Sequence, residues 1–582
     1  MVDLTKIAME MDWLQDPLSW LFVASVVFVV LRLRRRDRAP PLPPGPNPLP
    51  IVGNMSMMDQ LTHRGLAALA KKYGGFLHLR LGKAHVFAVS TPEYAREVLH
   101  VQDGAFLNRP ASIAATYLTY DRADMAFAHY GPFWRQMRKL CVMKLFSRRR
   151  PETWLAVRDE SAALVRAVAW RSGETVNLGE LIFNLAKNVT FRAAFGAGAA
   201  GDVGKQEEFV AILQEFSKLF AAFCIGDFVP WLGWADPQGI NVRLRAARAA
   251  LDQFIDKIID EHMMKGRNPD DVDADMVDGM LAFLPEARPN KAAGDGREDL
   301  QNTLRLTRDN IKAMVMDVMF GGTETVASAI EWAMAEMMHY PDDLQRLQQE
   351  LADTVGLDRK VNESDLDKLP FLKCVIKETL RLHPPIPMLN HENAEDCVVD
   401  GYSVPRGSRV IINVFAIGRD INAWKDPDMF RPSRFMAGEG EAAGVDFKGG
   451  CFEFLPFGSG RRSCPGMALG LYSLELAVAQ LAHGFNWELP DGTKPSELDM
   501  SDVFGLTVPR ATRLCVVPTP RLTCSLVADD DDDDDARQVR MHLLSLCVPP
   551  QEFGAFLFAS SSYFCFVVAL RNTIFGYSIF YA

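Results

Sequence analysis

The 582-residue sequence lacks several features that define common functional classes. It has no excess of positive charge, because 63 Lys and Arg stand against 74 Asp and Glu and the net charge is −11. Nucleic acid is therefore excluded as an expected partner, since phosphate binding needs clustered basic side chains. No glycine-rich dinucleotide-binding fingerprint of the Rossmann type is present either. The chain thus carries no expected site of its own for a nicotinamide or a flavin.

The ten cysteines are widely scattered and include no Cys-x-x-Cys pair. Cys/His clusters of the zinc type are also missing. This usage suits a reducing compartment, where a single cysteine is either a small buried apolar residue or a functional thiolate. A disulfide framework is not expected.

The N-terminal region has the pattern of a membrane anchor. Residues 18–31, LSWLFVASVVFVVL, are apolar and uncharged, and with their neighbours they approach the ~20 residues that span a bilayer. Five arginines between positions 32 and 38 follow this run, and mostly acidic residues precede it. Positive charge stays on the cytoplasmic side, so residues 1–38 predict a single-pass anchor with the body in the cytosol. A cleaved signal peptide would carry its positive charge before the apolar run.

Residues 39–54 are rich in proline and predict a stiff hinge. The body, residues 55–526, predicts one mostly helical domain with short strands at 76–81, 85–89 and 409–414. An exposed loop is expected at 286–297.

The tail, residues 527–582, has seven consecutive aspartates followed by an apolar stretch at 553–570 that is long enough to span a membrane. It has no clear relation to the body, so we expect it to be a non-native or read-through extension and not a part of the fold.

The loop at 456–466, PFGSGRRSCPG, places one cysteine among three glycines immediately before an apolar helical pattern. Glycine permits positive φ and close approach of the backbone to a flat ligand. Cys464 then lies near a helix N-terminus, where the helix dipole is expected to lower the thiol pKa and favour a metal-binding thiolate. The alternative is a structural cysteine in a turn.

Residues 310–338 predict a long helix with one buried face. The sequence Gly-Gly-Thr-Glu-Thr at 321–325 consists largely of poor helix formers, so a kink or bulge is expected there. Such an interruption would open a groove beside the helix. The alternative is that the glycines allow close helix packing.

Two further pairs lie on helical patterns. Glu378 and Arg381 are three residues apart and can form an ordinary ion pair. Trp134 and Arg138 are four apart, which by itself suits an arginine whose stem packs beside a core aromatic ring.

The cysteine loop resembles the haem-binding signature of the cytochrome P-450 family, Phe-x-x-Gly-x-Arg-x-Cys-x-Gly. Phe457, Gly460, Arg462, Cys464 and Gly466 fill every specified position. The resemblance implies haem b as cofactor, Cys464 as the axial iron ligand, Phe457 beside the sulfur and Arg462 on a haem propionate. It also implies a mainly α fold with small β-sheets, preceded by the transmembrane anchor helix.

The resemblance extends to other motifs of the chain. It implies propionate contacts for Trp134, Arg138 and His391, and an acid and an alcohol for oxygen chemistry in Glu324 and Thr325. It also implies a structural triad that holds the core around the haem loop; its members are Glu378, Arg381 and Arg434.

A member of this family is expected to be an NADPH- and dioxygen-dependent monooxygenase of the endoplasmic reticulum membrane. Its electrons would come from an NADPH–haemoprotein reductase, and Arg135, Lys139 and Arg461 are candidate contacts for that partner. These arginines and the lysine are equally well explained as solvated surface charges.

Three segments, 321–326, 387–402 and 504–518, are similar to those of plant ferulate/coniferaldehyde 5-hydroxylases of lignin biosynthesis. The resemblance implies ring hydroxylation of a small methoxylated phenylpropanoid. The substrate pocket would draw on residues 107–120, 315–321, 387–390 and 504–506.

Three alternatives stay open. The first is a monooxygenase acting on another plant metabolite, such as a flavonoid. A haem-thiolate isomerase or dehydratase would not need a proton relay, so the Glu324–Thr325 pair counts against it. A non-enzymatic haem protein would need a second axial ligand, and no His or Met is clearly placed for that role.

Overall fold

The computed structural model describes residues 20–21, 24–25, 40–110, 112–142, 151–196, 203–222, 224–234, 236, 238–266, 274–284, 305–438 and 440–527. The chain divides into two compact units, Met1–Val527 and Ala528–Ala582. All described residues belong to the first unit. The predicted anchor (except four residues), the predicted loop at 286–297 and the tail after Val527 lie outside the described residues.

Helices dominate the described residues. Their bounds are α1 His63–Tyr73, α2 Pro92–Arg96, α3 Ile113–Leu118, α4 Pro132–Leu140, α5 Pro151–Ala169, α6 Leu178–Phe195, α7 Val203–Ala221, α8 Ile225–Phe228, α9 Pro230–Gly233, α10 Ile240–Lys265, α11 Met276–Leu281, α12 Arg308–His339, α13 Pro341–Val355, α14 Pro370–Leu382, α15 Val414–Ile417 and α16 Met467–Gly484. Helices α13 and α14 each begin with proline, which lacks the N–H that a first-turn residue would leave unpaired.

Three small sheets accompany the helices. The strands are β1 Phe76–Leu81, β2 Ala84–Val89, β3 Val176–Asn177, β4 Met388–Glu392, β5 Cys397–Val399, β6 Tyr402–Val404, β7 Arg409–Asn413, β8 Phe485–Glu488 and β9 Cys515–Pro520. The largest sheet has the order β1-β2-β7-β4, in which β2 and β7 are parallel and the other pairs antiparallel. The others are β3-β9-β8 and β5-β6. The expected mainly α architecture with small sheets is confirmed.

The three predicted strands are present with shifted ends. β1 has the predicted bounds, whereas β2 begins one residue early at Ala84. β7 ends at Asn413 because the Asn413 side chain accepts a hydrogen bond from the Ala416 N–H and caps α15.

Helix α12 crosses the core and extends the predicted helix by a few residues at its N-terminal end. Thr307 caps it, since the Thr307 side chain accepts from the Asn310 N–H in a reciprocal capping box. The expected kink at 321–325 was wrong, because helical backbone continues without interruption to His339. Gly322 instead allows close packing on α6, where an added Cβ would lie 2.8 Å from Thr190 Oγ1.

One segment of the described residues, Gln206–Phe228, is long and apolar enough to cross a membrane, with a mean hydropathy of 1.5. Its α7 part packs in the largest hydrophobic cluster through Phe209, Leu213 and Phe216. The segment therefore has the character of a core helix.

Candidate functional site

The cysteine loop leads into α16 through tight turns. Gly458 and Gly460 have φ of 70° and 67°, a region that favours glycine. Gly460 also approaches another segment closely, because an added Cβ would lie 2.9 Å from the Leu99 carbonyl oxygen. The loop closes where the Cys464 N–H donates to the Phe457 carbonyl at 2.9 Å, three residues before α16 begins.

The expectation of a lowered thiol pKa at Cys464 was wrong for the protein chain alone. Burial raises the pKa, and a hydrogen bond from the Gly466 N–H and the charge of Arg138 only partly oppose it. The Cys464 side chain nevertheless remains accessible. Since desolvation outweighs the Gly466 hydrogen bond and the charge of Arg138, a bound cation would be needed to hold a thiolate.

Three arginines surround this sulfur region without an acidic ion-pair partner among the residues that the structure describes: Arg109, Arg138 and Arg462. Burial and mutual repulsion lower the pKa of Arg462 to about 9, and burial lowers that of Arg109 to about 10. Arg138 donates to Ser463 Oγ at 3.2 Å and lies over the Trp134 ring. A cluster of half-buried cations without anions is unfavourable, so the cluster fits an anionic ligand with two carboxylates.

Arg462 is held in place by backbone carbonyls. It donates to the Leu107 oxygen at 2.8 Å and the Met125 oxygen at 3.2 Å, and it also contacts the Ala128 oxygen. Its guanidinium lies 4.6 Å from the Trp134 ring centroid. The predicted residues Trp134, Arg138 and Arg462 therefore meet beside Cys464.

His391 lies in β4 and is buried, and its Nδ1 lies 2.8 Å from the Phe106 carbonyl oxygen. Burial, followed by the charge of Arg109, lowers its pKa to about 3, so the ring is neutral. The Phe106 carbonyl can only accept, so Nδ1 carries the proton and Nε2 of the neutral ring is an acceptor. His391 could donate to a carboxylate through Nε2 only if that carboxylate raised its pKa enough to protonate the ring.

Arg109 was missed by the sequence analysis. It contacts the Asn390 carbonyl beside His391 and its charge acts on both His391 and Arg462. Its only sequence signal is its position between Asn108 and Pro110, which is too common to identify a ligand contact.

The second half of the site is the middle of α12. Thr325 Oγ1 donates to the Gly321 carbonyl at 2.6 Å, and Glu324 Oε2 accepts from Thr507 at 2.9 Å and from Ser217 at 3.4 Å. An added Cβ on Gly321 would meet nothing within 4 Å, so this turn of the helix borders open space.

The α12 segment and the start of α16 are neighbours. A Cβ on Gly470, in the first turn of α16, would lie 4.0 Å from the Val326 side chain on α12. The acid and alcohol of α12 and the cysteine loop therefore belong to one region. The donors present, a sulfur and a cationic cluster facing open space, fit a haem with two propionates.

The predicted triad is fully formed and buried. Arg381 binds Glu378 through two bonds of 2.7 and 2.8 Å, and Arg434 Nε donates to Glu378 Oε1 at 2.9 Å. Both guanidiniums also donate to backbone carbonyls of the 418–429 segment. The triad thus fastens the segment that leads to the cysteine loop.

A buried carboxyl pair, Asp124 and Asp317, was also missed by the sequence analysis. Asp317 on α12 accepts from the Met125 and Ala126 N–H groups at 2.8 and 3.0 Å. Burial and the neighbouring charge raise the pKa of Asp124, which hydrogen-bonds Asp317 and therefore keeps a proton. The pair attaches the loop that contains Met125 to α12. The Met125 carbonyl of this loop accepts hydrogen bonds from Trp134 and Arg462.

We expect Asp124→Asn to flatten the pH dependence of stability. The folded state keeps a proton that the unfolded chain releases, so the unmutated protein loses stability as pH rises above the usual carboxyl range. Asparagine copies the protonated form, so the thermal midpoint should fall less between about pH 5 and about pH 8 than in the unmutated protein. Asp317 and Asp343, whose pKa values are raised to about 6, keep the rest of the slope. Asp367→Asn, at a 95% exposed side chain, is the control and should keep the original slope. An unchanged slope in Asp124→Asn would contradict the shared proton.

Comparisons with known proteins show the family of the chain. Residues 43–516 match the family model for cytochrome P-450. Cytochrome P-450 84A1 of Arabidopsis thaliana is 62% identical over 528 residues, which cover 90% of this chain and all of that protein. Flavonoid 3'-monooxygenase of Arabidopsis thaliana is 40% identical over 86% of this chain and 97% of its own length.

Among solved structures, a zebrafish cytochrome P-450 determined with progesterone superimposes with a TM-score of 0.66 at 26% identity. The match covers 79% of this chain and 99% of that one. Together with the cysteine loop, the cationic cluster and the triad, these matches show that the chain belongs to the cytochrome P-450 family and is a haem-thiolate monooxygenase of plant type.

Proposed function

We propose that this monooxygenase hydroxylates the ring 5-position of a methoxylated phenylpropanoid, ferulate or coniferaldehyde, in lignin biosynthesis. The observation that carries the proposal is the similarity of segments 321–326, 387–402 and 504–518 to plant ferulate/coniferaldehyde 5-hydroxylases. The 62% identity to cytochrome P-450 84A1, against 40% to flavonoid 3'-monooxygenase, supports a substrate other than a flavonoid.

In the proposed mechanism Cys464 would ligate the haem iron through its sulfur, and Arg109, Arg138 and Arg462 would bind the propionates. His391 would lie beside a propionate, and Trp134 orders the guanidiniums of Arg138 and Arg462 above its ring. Haem, when bound, supplies dioxygen activation, which a thiolate ligand favours by pushing electron density toward O–O cleavage.

Glu324 and Thr325, in the middle of α12, are the residues proposed to transfer protons. The Thr325 hydroxyl donates to the Gly321 carbonyl, so its lone pairs are free to accept a hydrogen bond. Glu324 Oε1 accepts no hydrogen bond from the described residues, whereas Oε2 accepts two. Glu324 is thus placed to exchange protons with water through Oε1 and to act as general acid.

The electron donor for this family is a reductase, here proposed to be a membrane-bound NADPH–haemoprotein reductase. Arg135, Lys139 and Arg461 have exposed side chains, and Arg461 lies 3.4 Å from Asp103. We propose that these basic residues contact the reductase. Location in the endoplasmic reticulum membrane, through the anchor at residues 1–38, is part of the same proposal, as is the assignment of residues 55–526 to the catalytic domain.

Thr325→Ala tests the monooxygenase chemistry and the substrate together. With coniferaldehyde, NADPH and reductase, the unmutated protein should form the 5-hydroxylated product. The variant should consume NADPH but convert less of it to product, by about 10²-fold if Thr325 takes part in general acid catalysis. An isomerase or dehydratase would work without NADPH and would be insensitive to Thr325→Ala.

Naringenin in place of coniferaldehyde separates the substrate classes. Faster hydroxylation of the flavonoid than of coniferaldehyde would replace the proposed function with that of a flavonoid hydroxylase, while it would leave the roles of Glu324 and Thr325 intact. Absence of NADPH-dependent product with both substrates would refute a phenolic substrate.

A further inference from the structure

The loop 499–514 is attached to α12 along one stripe of that helix. Glu324, Ser328 and Trp332 are spaced by four residues and so lie on one face. Thr507 donates to Glu324 Oε2 at 2.9 Å, and Ser328 Oγ and Trp332 Nε1 donate to the Val508 carbonyl at 3.3 and 3.1 Å. Three successive turns of the helix thus bind two consecutive residues of the loop.

Further contacts restrict the loop on both sides of this stripe. Glu331 accepts from Arg513 at 2.8 Å and from the Leu514 N–H at 2.9 Å. The Val508 N–H donates to the Pro385 carbonyl at 3.0 Å. Since Val508 is fixed from three directions, the neighbouring Thr507 hydroxyl is presented to Glu324 by a rigid backbone.

Thr507 and Ser217 differ in how firmly they hold the carboxylate. Thr507 is 8% exposed and makes the shorter bond, whereas Ser217 on α7 is half-buried and its bond is 3.4 Å long. Both donate to the same oxygen, Oε2. A hydrogen bond to a charged group is among the stronger ones in proteins, so Thr507 is the main restraint on this side chain.

We propose that Thr507 is a positioning residue for the acid Glu324 and that it joins this acid to the loop tip, residues 504–506. The Thr507 hydroxyl hydrogen stays in the bond to Oε2. The proton that Glu324 delivers leaves from Oε1, and the next proton returns from water to Oε1, so Oε2 remains an acceptor throughout. The inference rests on the proposed role of Glu324 and deepens it.

The loop tip gives this bond a second consequence. Phe504 is 43% exposed, while Thr507, three residues later, is buried. A substrate that packs against residues 504–506 would therefore act on the backbone that carries the Thr507 hydroxyl. Proton delivery and substrate contact depend on the same short segment. A substrate that fits poorly should therefore give less product per NADPH consumed.

Thr507→Val tests the proposal in the full holoenzyme with reductase, because valine keeps the shape of threonine and removes the hydroxyl. The haem content and the carbonyl difference spectrum should be unchanged. Product formed per NADPH should fall at least about tenfold, the size expected for loss of one hydrogen bond to a charged group. Thr507→Ser should restore it, and the solvent isotope effect on product formation should rise only in the valine variant.

Two controls distinguish positioning from a general effect on the loop. Thr512→Val removes a hydroxyl on the same loop that bonds Asp499 and does not touch Glu324, and it should leave product per NADPH unchanged. Combining Thr507→Val with Glu324→Gln should be no worse than Glu324→Gln alone, since both act through one carboxylate. Additive effects, an equal loss in Thr512→Val, or full coupling in Thr507→Val would overturn the proposal.

Failure of the proposed function can be told apart from failure of this inference. Coupling is measured with whichever substrate the unmutated protein turns over, coniferaldehyde or naringenin, so a wrong substrate class does not affect the comparison of variants. If Thr507→Val fails to fold, the serine variant still carries the test. If Thr507→Ser then binds haem normally but forms little product per NADPH, the hydroxyl is not sufficient and the proposal is overturned.

Discussion

Cys464→Ser should abolish monooxygenase turnover and the red-shifted Soret band of the reduced carbonyl complex. Removal of an outer partner of a metal ligand already lowers activity or affinity by about 10- to 100-fold, so loss of the ligand itself should exceed this. Serine preserves the size of the side chain and its place in the loop. Its oxygen cannot supply the electron density that a thiolate gives to iron.

Haem binding and haem reactivity should respond differently to Cys464→Ser, because different residues support them. The cationic cluster of Arg109, Arg138 and Arg462 does not involve the sulfur directly, except for the charge interaction with Arg138. Some haem should therefore remain bound to Cys464→Ser, with an altered spectrum and without product.

Cys451→Ser is the matched control, because this half-buried cysteine lies on the same segment before the helix. It should keep both the spectrum and the activity of the unmutated protein. A normal carbonyl spectrum in Cys464→Ser, or its loss in Cys451→Ser, would show that the ligand had been assigned to the wrong cysteine.

Features encoded by short spacings could be predicted from the sequence. The cysteine loop, the Glu378–Arg381 pair and the Trp134–Arg138 pair each depend on residues that a turn or one helical turn brings together. The long helix was placed within a few residues because its apolar pattern is local. The family resemblance then added Arg434, whose partner Glu378 is 56 positions away.

Features that depend on distant contacts could not be predicted in this way. Thr507 and Glu324 are 183 positions apart, and Asp317 binds a loop 192 positions earlier. Each residue alone has an ordinary explanation as a surface hydroxyl or a helix acid. Only the folded structure shows that the residues around each of these side chains are buried and already hydrogen-bonded.

Two errors concern competing physical effects. The helix dipole was expected to decide the thiol pKa of Cys464, but burial has the larger effect. The two glycines of α12 were expected to break the helix, but Gly322 serves close packing on Thr190 while Gly321 borders open space. In both cases the residue types were interpreted without knowledge of what surrounds them.

Glu378→Gln should destabilise the domain by about 3–5 kcal/mol, the usual effect of removing one partner of a buried ion pair. Glu378, Arg381 and Arg434 side chains are 0% exposed, so glutamine would leave the buried Arg381 without a carboxylate and Arg434 with only the half-exposed Glu441. Domains are stable by only about 5–15 kcal/mol. We therefore expect a much lower thermal midpoint and low haem incorporation on expression at 37 °C.

The segment of Glu378→Gln that first loses protection against amide hydrogen exchange should identify the cause of the lower stability. Arg381 and Arg434 donate to carbonyls of Gly418, Lys425, Pro427 and Met429, so the 418–431 segment should become the first to exchange its amide hydrogens. The cysteine loop follows this segment along the chain, and loss of haem should accompany the exchange. Helix α12 contributes none of these carbonyls and should retain its protection until global unfolding.

Glu441→Gln provides the control for this experiment. Glu441 pairs with Arg434 at 3.0 Å and also contacts Arg431, but its side chain is 43% exposed. Exposed ion pairs contribute about 0–1 kcal/mol, so this variant should melt close to the unmutated protein. Equal destabilisation by the two substitutions would mean that the total charge around Arg434, and not the buried carboxylate of Glu378, holds the segment. Since Glu378 alone binds both guanidiniums and the Arg431 N–H, we expect the two variants to differ by several kcal/mol, on the order of the buried-pair effect.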